Sequence, residues 1–283
     1  MAMERNYARS EEFIRAASRQ HAQLAVLPEY HLLNWIPHDD KFKEACSHWE
    51  IYLNKYRALA KECNINIVPG TIVELHDQGT KDERLLNVAY FITNTGEIAG
   101  KYVKKNLWGP IERLHLTSSS MDEHPVFDTP LGKVGMLICW DLAFPEAFRE
   151  MIAKGAKLFI IPTFWTLNDC SPAGLAINPV AEGLFLDSML TARCFENTCG
   201  RCCVWKLDDE MLDWGNAGVD NISSDRIRKR RRASRERLRG ALPSLRPVCR
   251  SLDATGQQCR GHGGGRSGHG DCRGCRGELP SAS

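Results

Sequence analysis

"KVGMLICWDLAFPEAFREM", residues 133–151, changes pattern twice. An apolar run climbs to Cys139 and stops; Trp140 and Asp141 follow at once. "PEAFREMIAKGA" (145–156) then opens with Pro at the first helical position and ends near Gly155, the expected asymmetry of a helix. The order is strand, turn, helix, with a thiol where the strand turns.

The same alternation extends in both directions. Upstream, "NYARSEEFIRAASRQ" has Tyr7, Phe13, Ile14 and Ala17 near helical spacing, and "LAVLPE" (24–29) is a short strand stopped by Pro28. "HWEIYLNKYRALAKECN" (48–64) predicts an amphipathic helix ending at Asn64. "INIVPGTIV" (65–73) and "LLNVAYFIT" (85–93) read as strands, and "NTGE" (94–97) as a turn into "IAGKYVKKNL" (98–107). Downstream, "KLFIIPTF" (157–164) is a strand and "AEGLFLDSMLTARCFENT" (181–198) a long helix. Strands alternating with helices predict an α/β layered fold, in which ligands sit at the carboxyl ends of strands.

Composition narrows the class. The 283 residues are 43% hydrophobic, enough for a sizeable core, with no run of about 18 apolar residues to span a membrane. The first twenty residues lack the apolar centre of a secretory signal. Twelve Cys in an α/β chain of this size predict reduced thiols and a cytoplasmic location rather than a disulfide scaffold. The net charge of +2 conceals a split. Residues 225–283 carry 15 Lys+Arg against 5 Asp+Glu, and residues 1–224 carry 22 against 30.

Polar residues follow strand patterns at three places: Glu29 closes "LAVLPE", Lys104 and Lys105 follow "IAGKYV", and Cys139 closes "KVGMLIC". A thiol at the end of an apolar strand is ordinarily an inert core residue. In company with a carboxylate and an ammonium it becomes a candidate nucleophile. A thiol attacks carbon as thiolate, and a carboxylate can take its proton and later protonate a leaving amine. An ammonium, with the Trp140 N–H, can hold the negative charge that develops on oxygen. Asp141 and Glu146 read as turn and helix-start residues, where negative charge is favourable.

"VLPEY" (26–30), "GKYVKK" (100–105) and "LICWDLAFPEAFR" (137–149) resemble, in that order, the three signature segments of the nitrilase superfamily of carbon–nitrogen hydrolases. The resemblance runs from about Asn6 to Cys199, and its Cys segment is the most specific. It implies a four-layer α-β-β-α sandwich, with Glu29 as general base, Lys104 as oxyanion-stabilising residue and Cys139 as nucleophile; Lys105 is the rival of Lys104. It implies a substrate-positioning Glu112 in "WGPIERLHLTSS", and substrate contacts from Trp140 and, in "PTFWTLNDCS" (162–171), from Phe164 and Trp165. It implies no metal, no organic cofactor, a small amide or nitrile as substrate, and a homodimer or larger assembly. Cys-Trp-Asp, where nitrilases resemble Cys-Trp-Glu, favours an amidase or carbamoyl-amide hydrolase over a nitrile hydrolase.

The chain departs from that pattern at both ends. Only five residues precede Asn6, so the family's first strand is expected to be missing. Past "FENT", where the family continues with apolar strands completing the second sheet, this chain reads "CGRCCVWKLDDEMLDWG", and those C-terminal strands are expected to be lost. The expected organisation is a hydrolase domain over 1–199, an unassigned junction over 200–224, and a disordered Arg/Gly-rich tail over 225–283. Read one base later, codons for Gly200–Lys206 can spell an apolar strand, which suggests an out-of-frame continuation. Cys199, Cys202, Cys272 and Cys275, with His262 and His269, offer a weak zinc pattern, and "RIRKRRR" (226–232) a weak nucleic-acid patch. Three readings therefore stand: a Cys-dependent amide hydrolase, an inactive remnant of one, and a nucleic-acid binder acting through its tail.

Overall fold

The alternating pattern resolves into two β-sheets. The computed structural model describes residues 2–166 and 169–199, and the backbone alone of 201–204. All of these lie in the unit Met1–Asn216. The first sheet contains β1 (Leu24–Val26), β2 (Asn66–Val68), β3 (Thr71–His76), β4 (Arg84–Ile92) and β5 (Ile98–Val103). β1 runs parallel to β2, while β2, β3 and β5 each pair antiparallel with β4. The second sheet has the order β6 (Val126–Thr129), β7 (Gly132–Met136), β8 (Leu158–Ile161), β9 (Arg201–Val204). β6 and β7 form a hairpin; β7, β8 and β9 are parallel.

The helices are α1 (Ala2–Arg19), α2 (Phe42–Ser47), α3 (Trp49–Cys63), α4 (Gly109–His115), α5 (Pro145–Ala153), α6 (Pro172–Ile177) and α7 (Ala181–Asn197). Strand β4 shows how they are layered. Its side chains alternate faces, as a two-residue period requires. Val88, Tyr90 and Ile92 pack with Tyr7 and Ile14 of α1 and Tyr52 and Tyr56 of α3. Ala89 and Phe91 pack instead with Val134 and Met136 of β7 and Phe159 and Ile161 of β8. Phe148 and Met151 of α5 and Leu186 of α7 join that second core. Helices, sheet, sheet, helices follow in succession, the α-β-β-α sandwich. A strand covered on both faces must be apolar on both, which is why "LLNVAYFI" reads as an unbroken run.

Element ends follow local chemistry. α3 stops at Asn64, which takes the left-handed conformation (φ 49°) and donates its N–H to the Ala60 and Lys61 carbonyls. α5 starts on Pro145. Two expectations are corrected. "INIVPGTIV" is two strands, not one, because Pro69 has no N–H to donate and Gly70 turns the chain at φ +57°. A strand also occupies Arg201–Val204, alongside β8, where the sequence pattern predicts none. The short elements β6, α2, α4 and α6 carry too little periodicity to be read in advance.

Among the described residues no helix is long and apolar enough to cross a membrane, and no group of three or more His, Cys, Asp or Glu could hold a metal ion. The tail 225–283, its basic run 226–232, most of the 200–224 junction, and the Cys and His of the zinc pattern beyond Cys199 lie outside the described side chains.

Candidate active site

Glu29, Lys104 and Cys139 all follow the carboxyl ends of strands. Glu29 lies three residues past β1, Lys104 one past β5, and Cys139 three past β7. The structure brings them together with Glu112 of α4, and all four are buried. Lys104 Nζ donates to Glu29 Oε1 at 2.9 Å and to Glu112 Oε1 at 2.8 Å. Lys105 points elsewhere, its ammonium held by the Asp122 carbonyl. Of the two lysines, Lys104 is the one in the cluster.

Each carboxylate oxygen has partners. Glu29 Oε1 also accepts from Asn87 Nδ2 (2.9 Å), and Oε2 accepts from the Phe164 N–H (3.0 Å). Glu112 Oε1 accepts from the Tyr30 hydroxyl (2.6 Å), and Oε2 from the Trp108 N–H (2.6 Å). Asn87 Nδ2 donates to the Tyr30 hydroxyl as well, at 3.0 Å. Asn87 and Tyr30 thus join the two acids into one network. Sequence reasoning missed both. The available signal was a lone amide inside the apolar run of β4, on the same face as Ala89 and Phe91.

Cys139 sits on a strained turn. It is a non-glycine residue at φ 48°, it opens a 3-10 turn (Cys139–Ala143), and its N–H donates to the Pro162 carbonyl at 3.0 Å. The next N–H, that of Trp140, is among the first of that turn and has no acceptor within it. Asp141 does more than start a helix. Its carboxylate accepts from the Ile138 N–H (2.9 Å), the Tyr102 hydroxyl (2.9 Å), and both the backbone N–H and side-chain amide of Asn106 (2.8 Å each). This buried acid ties the segment after β5 to the Cys139 turn. Left-handed backbone at a non-glycine residue persists only where the surroundings over-determine it, and the Asp141 bonds do that here.

Burial dominates the electrostatics. It pushes the Cys139 thiol well above its ordinary pKa, and Glu29 and Glu112 push it further, against the pull of Lys104. Burial likewise raises the Glu29 carboxyl, opposed mainly by Lys104. For Lys104 burial acts downward, but the charges of Glu29, Cys139 and Glu112 outweigh it and the ammonium is held. A resting thiolate would add negative charge beside the Glu29 and Glu112 carboxyls. Moving the thiol proton onto Glu29 leaves the total unchanged. The geometry therefore suits proton transfer from Cys139 to Glu29 at the moment of attack.

The other predicted residues border this cluster. The Cys139 thiol donates to the Phe164 carbonyl at 3.4 Å, so Phe164 meets both Cys139 and Glu29 through its backbone. Trp165 is buried, donates from Nε1 to Glu182 (2.7 Å), and lies with Trp140 and Phe185 in an aromatic stack. Leu167 and Asn168 of the same predicted segment lie outside the described residues. A cavity of about 240 Å³ borders Trp140 and Phe144. A larger one, about 490 Å³, is lined by Ser18, His21, Asn64, Asn66 and Asn94 at the opposite ends of β1 and β2, and touches none of the buried cluster.

The carbon–nitrogen hydrolase family matches residues 1–208. A probable nitrilase of Schizosaccharomyces pombe is 34% identical over 143 residues, 49% of this chain and 44% of that protein. The deaminated glutathione amidase of Bos taurus is 26% identical over 205 residues, 69% of this chain and 58% of that one. The chain thus spans about half the length of these curated relatives. A carbon–nitrogen hydrolase from Helicobacter pylori G27 shares the fold, with a TM-score of 0.62 at 21% identity over 72% of this chain and 68% of that one.

Proposed function

From the premise that this chain belongs to the carbon–nitrogen hydrolase family, we propose that it hydrolyses a small amide to a carboxylic acid and ammonia through a thioester on Cys139. The observation that carries this reading is the buried contact of Lys104 with both Glu29 and Glu112 beside a thiol on a strained turn. Cys139 attacks the amide carbon as its proton passes to Glu29. Lys104 and the Trp140 N–H hold the oxyanion. The C–N bond breaks, and Glu29 gives its proton to the departing ammonia. Glu29 then takes a proton from water, the hydroxide forms a C–O bond at the thioester carbon, and the C–S bond breaks. The proton returns to sulfur and the acid leaves. Glu112, fixed by Tyr30 and Trp108, orients Lys104 and the substrate amide.

A nitrile is the second reading, favoured by the relative described as a probable nitrilase. The amidase reading is supported by Asp141 after Cys139-Trp140 and by the deaminated glutathione amidase among the relatives. The test is ammonia release from a panel of short amides and their matching nitriles. The wild type is expected to turn over amides. Cys139→Ala should abolish release, and Glu29→Gln should lower kcat roughly 10²- to 10⁴-fold. Equal release by wild type and Cys139→Ala would overturn the mechanism, and turnover of nitriles alone would favour the second reading. An inactive wild type in which Cys139 resists a small electrophile would support the remnant reading.

A further inference from the structure

Tyr30 is held in a conformation that its own backbone does not favour. It is a non-glycine residue at φ 58°, next to Glu29, and left-handed backbone at a bulky side chain persists only where the surroundings over-determine it. The backbone end is fixed by the Thr71 hydroxyl, which accepts from the Tyr30 N–H at 3.1 Å. The far end of the side chain carries the functional contacts. Its hydroxyl donates to Glu112 Oε1 (2.6 Å), the same oxygen that accepts from Lys104 (2.8 Å), and accepts from Asn87 Nδ2 (3.0 Å).

Between those two ends the ring is covered by Trp35. The two rings are stacked, with centroids 5.1 Å apart and an interplanar angle of 20°. The remaining contacts of Trp35 reach the Tyr30–Glu112 bond from its other side. It meets His115 edge-on, at 6.4 Å and 79°. His115 closes α4 three residues after Glu112, a spacing that makes the two neighbours on the helix surface. His115 is braced in turn by the His38 ring at 5.3 Å, and Trp35 by the Phe42 ring at 5.6 Å. Trp35 therefore touches both partners of one hydrogen bond: Tyr30 directly, and the helix of Glu112 through His115. It is half-buried and belongs to the segment between β1 and α2, which has no helix or strand of its own.

We propose that Trp35 is a positioning residue for the buried cluster: it clamps Tyr30 against α4, so that Glu112 Oε1 stays shared between the Tyr30 hydroxyl and Lys104. For its effect on turnover, this rests on the amide-hydrolase reading above. Without the Tyr30 donor, Glu112 Oε1 has Lys104 alone, and the ammonium is drawn towards it, away from Glu29 and Cys139. The charge that pulls the Cys139 thiol pKa down then acts from farther off. Trp35 and Tyr30 exchange no atoms with substrate; what changes is how readily Cys139 gives up its proton.

The experiment uses the full chain and two readouts. Alkylation of Cys139 by iodoacetamide is followed across pH by mass spectrometry of the peptide that carries it, and ammonia release is measured from short amides. Trp35→Leu keeps an apolar side chain without a ring face, and Trp35→Phe keeps a ring. A half-buried side chain outside the strands and helices can be exchanged for leucine without opening the sheets, and thermal unfolding gives the folded fraction to which rates are referred. Trp35→Leu should slow Cys139 alkylation roughly 10-fold, move its pH profile upward, and lower kcat by a similar factor with a smaller change in KM, the scale of one hydrogen bond to a charged group. Trp35→Phe should restore most of these. In a Tyr30→Phe background, which keeps the stack but lacks the hydroxyl, Trp35→Leu should add little, because both changes act through one bond. Equal alkylation in Trp35→Leu and Trp35→Phe, or effects that multiply independently in the Tyr30→Phe background, would overturn the assignment and leave Trp35 as packing. If alkylation follows the expected pattern but no amide is hydrolysed, the positioning role stands and the hydrolase reading fails. If amides are hydrolysed at rates that do not distinguish Trp35→Leu from Trp35→Phe, the hydrolase reading stands and this one fails.

Discussion

At the scale of single residues, the Lys104 ammonium keeps its charge because Glu29 and Glu112 face it. His31, two residues past Glu29, shows the opposite solution. It is half-buried, with Nε2 2.7 Å from the Tyr56 hydroxyl, which in turn contacts the Ser10 hydroxyl at 2.6 Å. Burial depresses its pKa from 6.5 to about 3. The folded protein therefore keeps His31 neutral while the unfolded chain protonates it below pH 6.5. Stability should be full above that pH and fall as pH drops from 6.5 towards 3, by roughly 1.4 kcal/mol per unit. Urea unfolding at pH 7.5 and 4.5 checks this. His31→Gln, which can still reach Tyr56, should lose about 3 kcal/mol less between those pH values than the wild type. An identical loss in both would place the acid sensitivity elsewhere.

Legibility at this scale follows chemistry. Glu29, Lys104 and Cys139 were readable because ionisable groups stand out where apolar strands end. Tyr30 and Asn87 were not, since a Tyr after a strand and an amide within one have many ordinary uses. Only the folded chain shows that Asn87 and Tyr30 meet the two carboxylates at once.

Elements place these groups through backbone packing. The β2–β3 break is the clearest case. Gly70 takes φ +57°, and a Cβ there would lie 1.8 Å from the Pro28 carbonyl oxygen. The turn between two strands therefore rests directly on the segment that delivers Glu29, and the Tyr30 N–H is held by Thr71 Oγ1 at 3.1 Å. Because the contact is backbone on backbone, no rotamer change relieves it. Gly70→Ala should destabilise by at least about 1–2 kcal/mol from the left-handed backbone alone, and by more from the collision. It should also lower kcat in the protein that remains folded, since Glu29 must shift. Thermal unfolding and a single-turnover assay separate the two effects. A variant with wild-type rates would mean that the loop can yield without moving Glu29. Sequence periodicity missed this break because "INIVPGTIV" is apolar on both sides of Pro69-Gly70, as one buried strand would be. Conversely, Arg201–Val204 joins β8 with a sequence no strand pattern would pick out, because pairing along a parallel edge is satisfied by backbone groups.

For the whole described unit, the decisive fact is that the cluster is shared between sheets. Glu29 and Lys104 come from the first, and Cys139 and the Phe164 backbone from the second. The face where the sheets meet therefore sets the distance between Glu29 and Cys139. Gly100 of β5 lies on that face: a Cβ there would fall 2.5 Å from the Phe127 ring of β6. The ring rests on bare backbone four residues before Lys104. Gly100→Ala should force the sheets apart locally and cost about 1–3 kcal/mol, the usual penalty for overpacking. Its effect on kcat should exceed its effect on the folded fraction, because the Lys104–Glu29 contact and the approach of Cys139 both depend on sheet spacing. Phe127→Leu removes the part of the ring that meets Gly100, and should cost some stability alone. Combined with Gly100→Ala it should recover part of the loss, an interaction of roughly 0.5–3 kcal/mol in a double-mutant cycle. Strict additivity in both stability and kcat would mean that the two sheets adjust independently, and that spacing at this contact does not govern the site.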